Sequence, residues 1–235
     1  MNMIPDWQWN EIQQIGTDYS NLSQVEIYDN RMASFRDVNA ENQEMLQMLG
    51  LAAGSAVLEI GCGTGRFARY AAAAGLAVTA IDVSKIMLDY VVKKAKDENL
   101  PPITTRHSGF LTMDFPDASF DAVVSGAALH HLPDVWKLVA LRNIARILKP
   151  QGQFILRDVV FSLKENEQPK DCFDRFIASF NEQVRPNAIG HIKTEYSTYD
   201  WIMEGLIKMA GFRIISKTNP FESFFVYHCI RIGDK

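Results

Sequence analysis

Short, unbroken apolar runs alternate with amphipathic stretches between residues 51 and 160. Runs of this kind are typical of parallel strands buried on both faces, whereas apolar residues three and four positions apart indicate helices. The pattern predicts strands at 56–60, 77–81, 103–107, 120–125 and 153–159. Because helical patterns separate most of these strands, we expect a doubly wound, Rossmann-like α/β sheet.

The alternation ends after residue 160, where a long connection begins. Residues 161–198 contain one predicted helix, which Arg185-Pro186 ends. A connection of this length inside one domain is usually functional, so we expect an insertion or lid. A further helix and two strands, 212–217 and 224–232, close the chain as an antiparallel hairpin. The predicted fold is therefore a seven-stranded, mostly parallel α/β sheet with an antiparallel C-terminal hairpin, N-terminal helices and a helical insertion after the fifth strand.

The first fifty residues have a helical, amphipathic pattern. Trp7, Trp9, Ile12 and Ile15 lie where one helix would place them on the same side, and Gly16 follows as its end. We find no internal repeat, low-complexity segment or linker, so we predict a single domain over 1–235. Its parts are an N-terminal helical cap (1–50), a core (51–160), the insertion (161–198) and a C-terminal helix with the hairpin (199–235).

Composition and charge disfavour several classes of protein. The 235 residues are 47% hydrophobic and 22% charged, enough for a full core in one domain. A net charge of -4 offers no overall attraction to nucleic acid, so we expect no nucleic-acid partner. We also expect no membrane partner, because no apolar run approaches the ~20 residues that span a bilayer. The N-terminus lacks a signal-peptide pattern, and the three scattered cysteines lack metal-ligand spacing, so we predict a reduced, cytoplasmic protein without a metal.

The strongest chemical signal follows the first strand. The run Val57-Leu58-Glu59-Ile60-Gly61-Cys62-Gly63-Thr64-Gly65 joins a buried strand to a helix through alternating glycines, and Asp82 ends the second strand. Such a loop lets backbone approach a nucleotide-like ligand, and an acid in the position of Asp82 accepts hydrogen bonds from a ribose diol. Arg66 stands where a dinucleotide-binding loop has its third glycine, and no Walker sequence is present. The spacing therefore disfavours dinucleotides and nucleoside triphosphates.

These segments resemble the class I S-adenosylmethionine-dependent methyltransferases, in the type 11-like branch that acts largely on small molecules. The glycine run is similar to their motif I, and Asp82 matches their strand-2 acid. Residues 115–121 and 129–132 are similar to the segments that flank strand 4, and residues 148–152 resemble the turn before strand 5. The resemblance covers roughly residues 50–160. It implies transfer of a methyl group from S-adenosylmethionine to a small-molecule acceptor by in-line displacement.

The resemblance also implies which residues contact the cofactor. Glu59 orients the glycine loop, Asp82 binds the ribose, and the further contacts are Gly61, Cys62, Gly63, Gly65, Val83, Met87, Phe110, Leu111, Ala127 and His130. Tyr28 and Arg31 resemble residues that some relatives fold over the cofactor, where Arg31 pairs with its carboxylate. One departure stands out, because Phe110 replaces the family's frequent Asp beside the adenine. A backbone carbonyl near Leu111, or Asp114, is then expected to hold the adenine amino group.

His130, just after the fourth strand, is the candidate catalytic residue. We predict that His130 borders the sulfonium and the acceptor, and acts as a general base if the acceptor is protonated. The tentative acceptor-binding residues are His131, Asp158, His191, Tyr196 and Tyr199. Simpler explanations exist for these residues. The histidines after the fourth strand would then only form hydrogen bonds with the backbone, and the insertion residues would belong to a solvated loop.

Three other functions fit parts of the sequence. A non-catalytic cofactor-binding module, such as a partner subunit, would keep the same fold. A protein or RNA methyltransferase would keep the same reaction, although the acidic charge and the lack of a basic tail disfavour RNA. An NAD-dependent oxidoreductase is the remotest alternative, because Arg66 and the terminal hairpin argue against it.

Overall fold

The computed structural model describes residues 5–13, 25 and 36–233. Residues 5–13, the N-terminal segment, form successive turns: the Gln8 N–H donates to the Pro5 carbonyl at 2.9 Å, and the Gln13 N–H donates to the Asn10 carbonyl at 3.2 Å. The predicted helix is therefore wrong for the described part of that segment. The tryptophans instead pack on separate elements: Trp7 stacks on Trp136 and Trp9 packs edge-on against Tyr196. Ile15 and Gly16 lie outside the described residues.

Helices and strands make up most of the chain from residue 38 onward. The helices are α1 (Val38–Leu49), α2 (Arg66–Ala73), α3 (Lys85–Asp97), α4 (Asp134–Ile147), α5 (Pro169–Ala178), α6 (Arg185–Thr194) and α7 (Asp200–Met209), with a 3₁₀ turn at Leu129–His131. The strands are β1 (Ala56–Ile60), β2 (Ala77–Asp82), β3 (Thr104–His107), β4 (Phe120–Gly126), β5 (Leu148–Phe161), β6 (Thr198–Tyr199), β7 (Phe212–Phe221) and β8 (Phe224–Arg231). Among the described helices, none has both the length and the apolar character that crossing a bilayer requires.

The strands form one sheet in the order β3-β2-β1-β4-β5-β8-β7. The pairs from β3 through β5 are parallel, and β8 runs antiparallel to both of its neighbours. The predicted parallel sheet with an antiparallel hairpin is confirmed. The short strand β6, which was not predicted, pairs with the end of β5. Because the strand order reverses between β1 and β4, the carboxyl ends of these strands open a crevice suited to a ligand.

Helices cover both faces of the sheet. On one face, α1, α2 and α3 bury apolar residues that include Met45, Phe67 and Val91. On the other face, α4 and α7 bury residues that include Leu141 and Ile207. Removal of this apolar surface from water provides most of the driving force for folding. The helices on the two faces thereby fix the position of the strand ends that form the crevice.

The insertion differs from its prediction. It contains two helices, α5 and α6, and Arg185-Pro186 begins the second one instead of ending the first. Proline is tolerated in the first turn of a helix, where the missing N–H has no intrahelical partner to lose. The predicted apolar stripe is real, since Phe176, Phe180 and Val184 pack together against the end of β5.

Candidate functional site

A cleft lies at the carboxyl ends of β1, β2 and β4. Its empty volume is about 1460 Å³, including space open to solvent. Most of the predicted cofactor residues line this cleft, namely Glu59, Gly61, Cys62, Gly63, Asp82, Val83, Met87, Phe110 and Ala127. Gly65, Leu111 and His130 are not among the lining residues. Tyr28 and Arg31 lie outside the described residues.

The three loop glycines have different physical roles. All three have left-handed backbone, with φ of 68° at Gly61, 51° at Gly63 and 69° at Gly65. A Cβ on Gly61 would collide with the Ala128 Cβ, and one on Gly65 would lie 2.5 Å from the Val91 Cγ2. A Cβ on Gly63 would meet nothing within 4 Å. Gly61 and Gly65 therefore let the loop pack closely, whereas Gly63 leaves space on the cleft wall.

Asp82 joins the ends of β1 and β2. Its Oδ2 accepts a hydrogen bond from the Gly63 N–H at 2.8 Å, and its Oδ1 accepts one from the Ser84 N–H at 2.8 Å. Burial raises the pKa of this carboxyl group. Each carboxylate oxygen can accept a second hydrogen bond. The loop contact therefore leaves Asp82 able to bind a ribose diol, as a nucleoside cofactor requires.

Glu59 lies behind the loop and below the start of α2. Its Oε2 accepts a hydrogen bond from the Ala68 N–H at 3.0 Å, within the first turn of that helix. Burial raises the pKa of Glu59 to about 8, although the bond from Ala68 opposes the shift; the charge of Asp82 adds to it. Glu59 is therefore mostly protonated near neutral pH, and its role in this wall is to hold the start of α2 behind the loop.

The structure adds Glu11, a residue that the sequence analysis did not select. Its Oε1 accepts hydrogen bonds from the Thr112 N–H at 2.8 Å and the Thr112 hydroxyl at 2.7 Å. A Cβ on Gly109 would collide with Glu11 Oε2, so the carboxylate would have to move away from its present position to make room for it. Glu11 lines the cleft beside Phe110, and burial raises its pKa. Phe110 stands where the family frequently has an acidic residue. That absence was the sequence signal that another part of the chain supplies an acid to the cleft.

The two adenine contacts expected from the sequence, Asp114 and a backbone carbonyl near Leu111, lie in different surroundings. Asp114 is exposed and does not line the cleft. The carbonyl of Leu111 lies 3.5 Å from the Gln8 side-chain nitrogen, which donates to it. The N-terminal segment therefore reaches the backbone of 110–112 through both Gln8 and Glu11.

Beyond β4, four side chains form what we call the histidine cluster: His130, Asp158, His191 and Glu195. The backbone N–H of His130 donates to Asp158 Oδ2 at 3.0 Å, and its ring Nδ1 bonds Asp158 Oδ1. The other ring nitrogen, Nε2, lies 3.2 Å from Glu195 Oε2. His191 pairs with the same Glu195 oxygen through Nδ1.

The histidines differ in charge and in access to the cleft. Burial disfavours the charged form of His130, but the charge of Asp158, with a further contribution from Glu195, raises its pKa to about 9. Burial, together with the charge of His130, lowers the pKa of His131 to about 4. His131 lines the cleft, and its ring packs on that of His130 with centroids 4.4 Å apart. The structure therefore presents a neutral imidazole to the cleft, with the cluster directly behind it.

The remaining predicted acceptor residues divide between two places. Tyr196 reaches the cluster through its backbone, whose N–H donates to the His130 carbonyl at 2.8 Å, and its carbonyl accepts from the buried Lys137 Nζ. Tyr199 instead stacks on Trp201 and packs against the aromatic residues of the insertion. Tyr196 is thus brought to the site and Tyr199 is not.

Arg157 is a second residue that the sequence analysis did not select. It lies on β5, is 3% exposed and lines the cleft. Its Nη2 donates to Glu41 Oε1 at 2.5 Å, whereas its Nη1 has no hydrogen-bond partner within the described part of the chain. Burial lowers the pKa of Arg157 to about 10. A charged residue inside an apolar strand pattern was the available sequence signal.

The chain is similar to known methyltransferases in sequence. The chain matches the family model described as a methyltransferase domain over residues 58–156. A demethylmenaquinone methyltransferase from Halalkalibacterium halodurans is 27% identical over 188 residues, which cover 77% of this chain and 72% of that protein. A 27-O-demethylrifamycin SV methyltransferase from Amycolatopsis mediterranei is 33% identical over 134 residues, which cover 56% of this chain and 48% of that protein.

Solved structures have the same fold. The phosphoethanolamine N-methyltransferase 2 of Haemonchus contortus, in complex with S-adenosyl-L-methionine, is similar with a TM-score of 0.69 at 18% identity. The similarity covers 91% of this chain and 58% of that one. The segment matched by the family model contains the glycine loop, Asp82, His130 and His131.

Proposed function

We propose that the chain is a class I S-adenosylmethionine-dependent methyltransferase and that it methylates a small molecule held between the glycine loop and His131. The observation that carries this proposal is one cleft that has Glu59 and Asp82 on one wall and His131 on another. The relatives above are named for small acceptors of unlike chemistry. Their names support the class of acceptor and do not select one acceptor.

We assign the cofactor contacts by position along the cleft. Asp82 accepts hydrogen bonds from the ribose hydroxyls, and Gly61 and Gly63 allow the methionine moiety to approach the backbone. Val83 and Met87 pack on the adenine, and Glu11 accepts a hydrogen bond from its 6-amino group. The contacts predicted for Tyr28 and Arg31 remain predictions.

The cofactor supplies an electrophilic methyl group on a sulfonium, which the acceptor's nucleophile displaces in line. The protein's task is therefore positioning, and a well-oriented pair of reactants lowers such a barrier by ~7–11 kcal/mol. We assign His131 to a hydrogen bond with the acceptor, because its ring lines the cleft. His130, predicted as catalytic, acts in this proposal as a positioning residue that fixes His131 through ring packing.

The insertion is proposed to close the acceptor end of the cleft. Its residues Glu195 and Tyr196 contact His130, so movement of the insertion would alter the histidine cluster. We further propose that the protein works in the cytoplasm as a single domain, without nucleic acid or membrane. The free, buried cysteines Cys62, Cys172 and Cys229 and the net charge of -4 support this.

Calorimetry on the full chain tests the proposal. S-adenosylmethionine and its demethylated product are each expected to bind at about 100 μM or below. NADH, titrated in the same way, is expected not to bind, because Arg66 stands where a dinucleotide loop has glycine. Failure of both nucleosides to bind would overturn the proposal. Cofactor consumption on addition of a small-molecule extract, at a rate above that of the protein alone, would separate an enzyme from a non-catalytic binding module.

A further inference from the structure

Three possible metal ligands converge beside the cleft. The ligand atoms of His130, His191 and Glu195 all lie within 4.8 Å of one another. They come from two elements, the 3₁₀ turn after β4 and the end of α6. The i,i+4 spacing of His191 and Glu195 places both side chains on one side of that helix end. The three side chains are 7%, 12% and 13% exposed, respectively.

In each of the two histidines, the ring nitrogen that does not face Glu195 has a hydrogen-bonding partner of its own. Nδ1 of His130 bonds the buried Asp158, and Nε2 of His191 lies 2.6 Å from the Ser197 hydroxyl. The opposite nitrogens, Nε2 of His130 and Nδ1 of His191, both face Glu195 Oε2. Histidines that bind metals are usually oriented in this way, by a carboxylate or another hydrogen-bonding group on the nitrogen that does not bind.

We propose that His130, His191 and Glu195 bind one divalent transition-metal ion, with Zn²⁺ as the best match. Two imidazole nitrogens and one carboxylate are a ligand set that catalytic zinc sites use. Ligands about 2.0–2.1 Å from a tetrahedral ion lie roughly 3.3 Å apart. The 3.2 Å between His130 Nε2 and Glu195 Oε2 already matches that separation.

A competing explanation is an ion-pair cluster without metal. A histidine–carboxylate pair needs only one nitrogen directed at the acid. Here two separately held rings direct a nitrogen at the same carboxylate oxygen, which favours a shared ion at that point. Three protein ligands fill three of the four positions of a tetrahedral ion, so the fourth position is left for a ligand that does not come from the protein.

The position of the site suggests a use for the ion. His131 packs on His130 and lines the cleft, so the ion would lie close to the acceptor end. Because none of the three ligands lines the cleft, the ion would act through His130, by holding the ring on which His131 packs. This use rests on the proposed methyl transfer, whereas metal binding itself does not.

The test uses the full chain without a histidine tag, freed of metal by a chelator that is then removed. Zn²⁺ is titrated by calorimetry, and Co²⁺ is titrated by its visible absorption, which is intense only for tetrahedral coordination. One ion per chain is expected to bind, with a Kd of about 1 μM or below. His191→Ala and Glu195→Gln are expected to weaken binding by about a hundredfold or more. His228→Gln, on β8 and bonded to Gln153, is the matched control and is expected to bind as the wild type does.

Three results would overturn the proposal: no Zn²⁺ binding by the wild-type chain, only the weak Co²⁺ absorption of octahedral sites, or equal affinity in both cluster variants. S-adenosylmethionine is titrated into each variant in parallel. Because Glu195→Gln leaves the cofactor-binding wall intact, retained cofactor affinity shows that the cleft is folded. If cofactor does not bind the wild type but Zn²⁺ does, the proposed function fails and the metal site stands.

Discussion

Glu11 and Leu111 are 100 positions apart in the sequence, yet the Leu111 N–H donates to the Glu11 carboxylate at 3.0 Å. The same carboxylate bonds Thr112, so a residue of the N-terminal segment fixes the loop at one end of the cleft. The acid that Phe110 does not provide is thus supplied from outside the core.

Replacement of Glu11 by Gln is expected to weaken binding of S-adenosylhomocysteine about tenfold, because the bond from the adenine amino group loses its charged acceptor. The analogue with inosine in place of adenosine lacks that amino group, so the variant is expected to bind it about as well as the wild type does. Calorimetry with both ligands measures the difference. Asp6→Ala, an exposed acid in the same segment, is the control. An equal loss for both ligands would mean that Glu11 only holds the segment in place.

Gly109→Ala is expected to release the N-terminal segment, because the new Cβ would collide with the Glu11 carboxylate. We expect a lower Tm and a free energy of unfolding that is smaller by about 1–3 kcal/mol. The fluorescence of Trp7 and Trp9 is also expected to change. Gly205→Ala is the matched control, since a Cβ in that position of α7 meets nothing within 4 Å. In that helix, alanine is expected to raise stability by about 0.5–1 kcal/mol. An unchanged Tm and spectrum for Gly109→Ala would contradict the contact.

Asp82→Ala is expected to weaken cofactor binding by more than about tenfold, because the ribose diol loses its charged acceptor. The fold is expected to survive, although the Gly63 N–H loses its partner. Calorimetry and circular dichroism measure the two effects. Asp89→Ala, an exposed acid on α3, is the control. An unchanged dissociation constant would remove Asp82 from the cofactor site.

Glu59 makes stability depend on pH. Its pKa in the folded chain is raised from 4.5 to about 8, so between these values the folded state binds more protons than the unfolded state. Stability from this residue is therefore fully present below pH 4.5 and is lost as pH rises through 8. The slope from one such group is at most about 1.4 kcal/mol per pH unit. Glu59→Gln is expected to remove it, as measured by urea unfolding at several pH values, with the exposed Glu182→Gln as control. Parallel curves for Glu59→Gln and wild type would contradict the assignment.

Local patterns predicted the sheet and the cofactor end of the cleft. The apolar run 56–60 and the glycines after it act through neighbouring backbone, so their spacing carries enough information to locate the loop. Strand β1 was predicted with the bounds that the structure has, Ala56–Ile60. The N-terminal segment and the second insertion helix were predicted wrongly. In the N-terminal segment, packing on the core outweighed a weak helical pattern, and in the insertion a proline that can begin a helix was taken to end one.

The sequence by itself predicted an α/β nucleotide-type site through the glycine loop and Asp82, and its resemblance to known methyltransferases indicated the methyl donor. Only the tertiary structure brought Glu11 to Leu111, Arg157 to the cleft and Glu195 to His130. These pairings join residues from distant parts of the chain, and no periodicity or spacing encodes which buried polar groups will meet. They form because a polar group removed from water must find a partner, and the folded chain decides which partner is within reach.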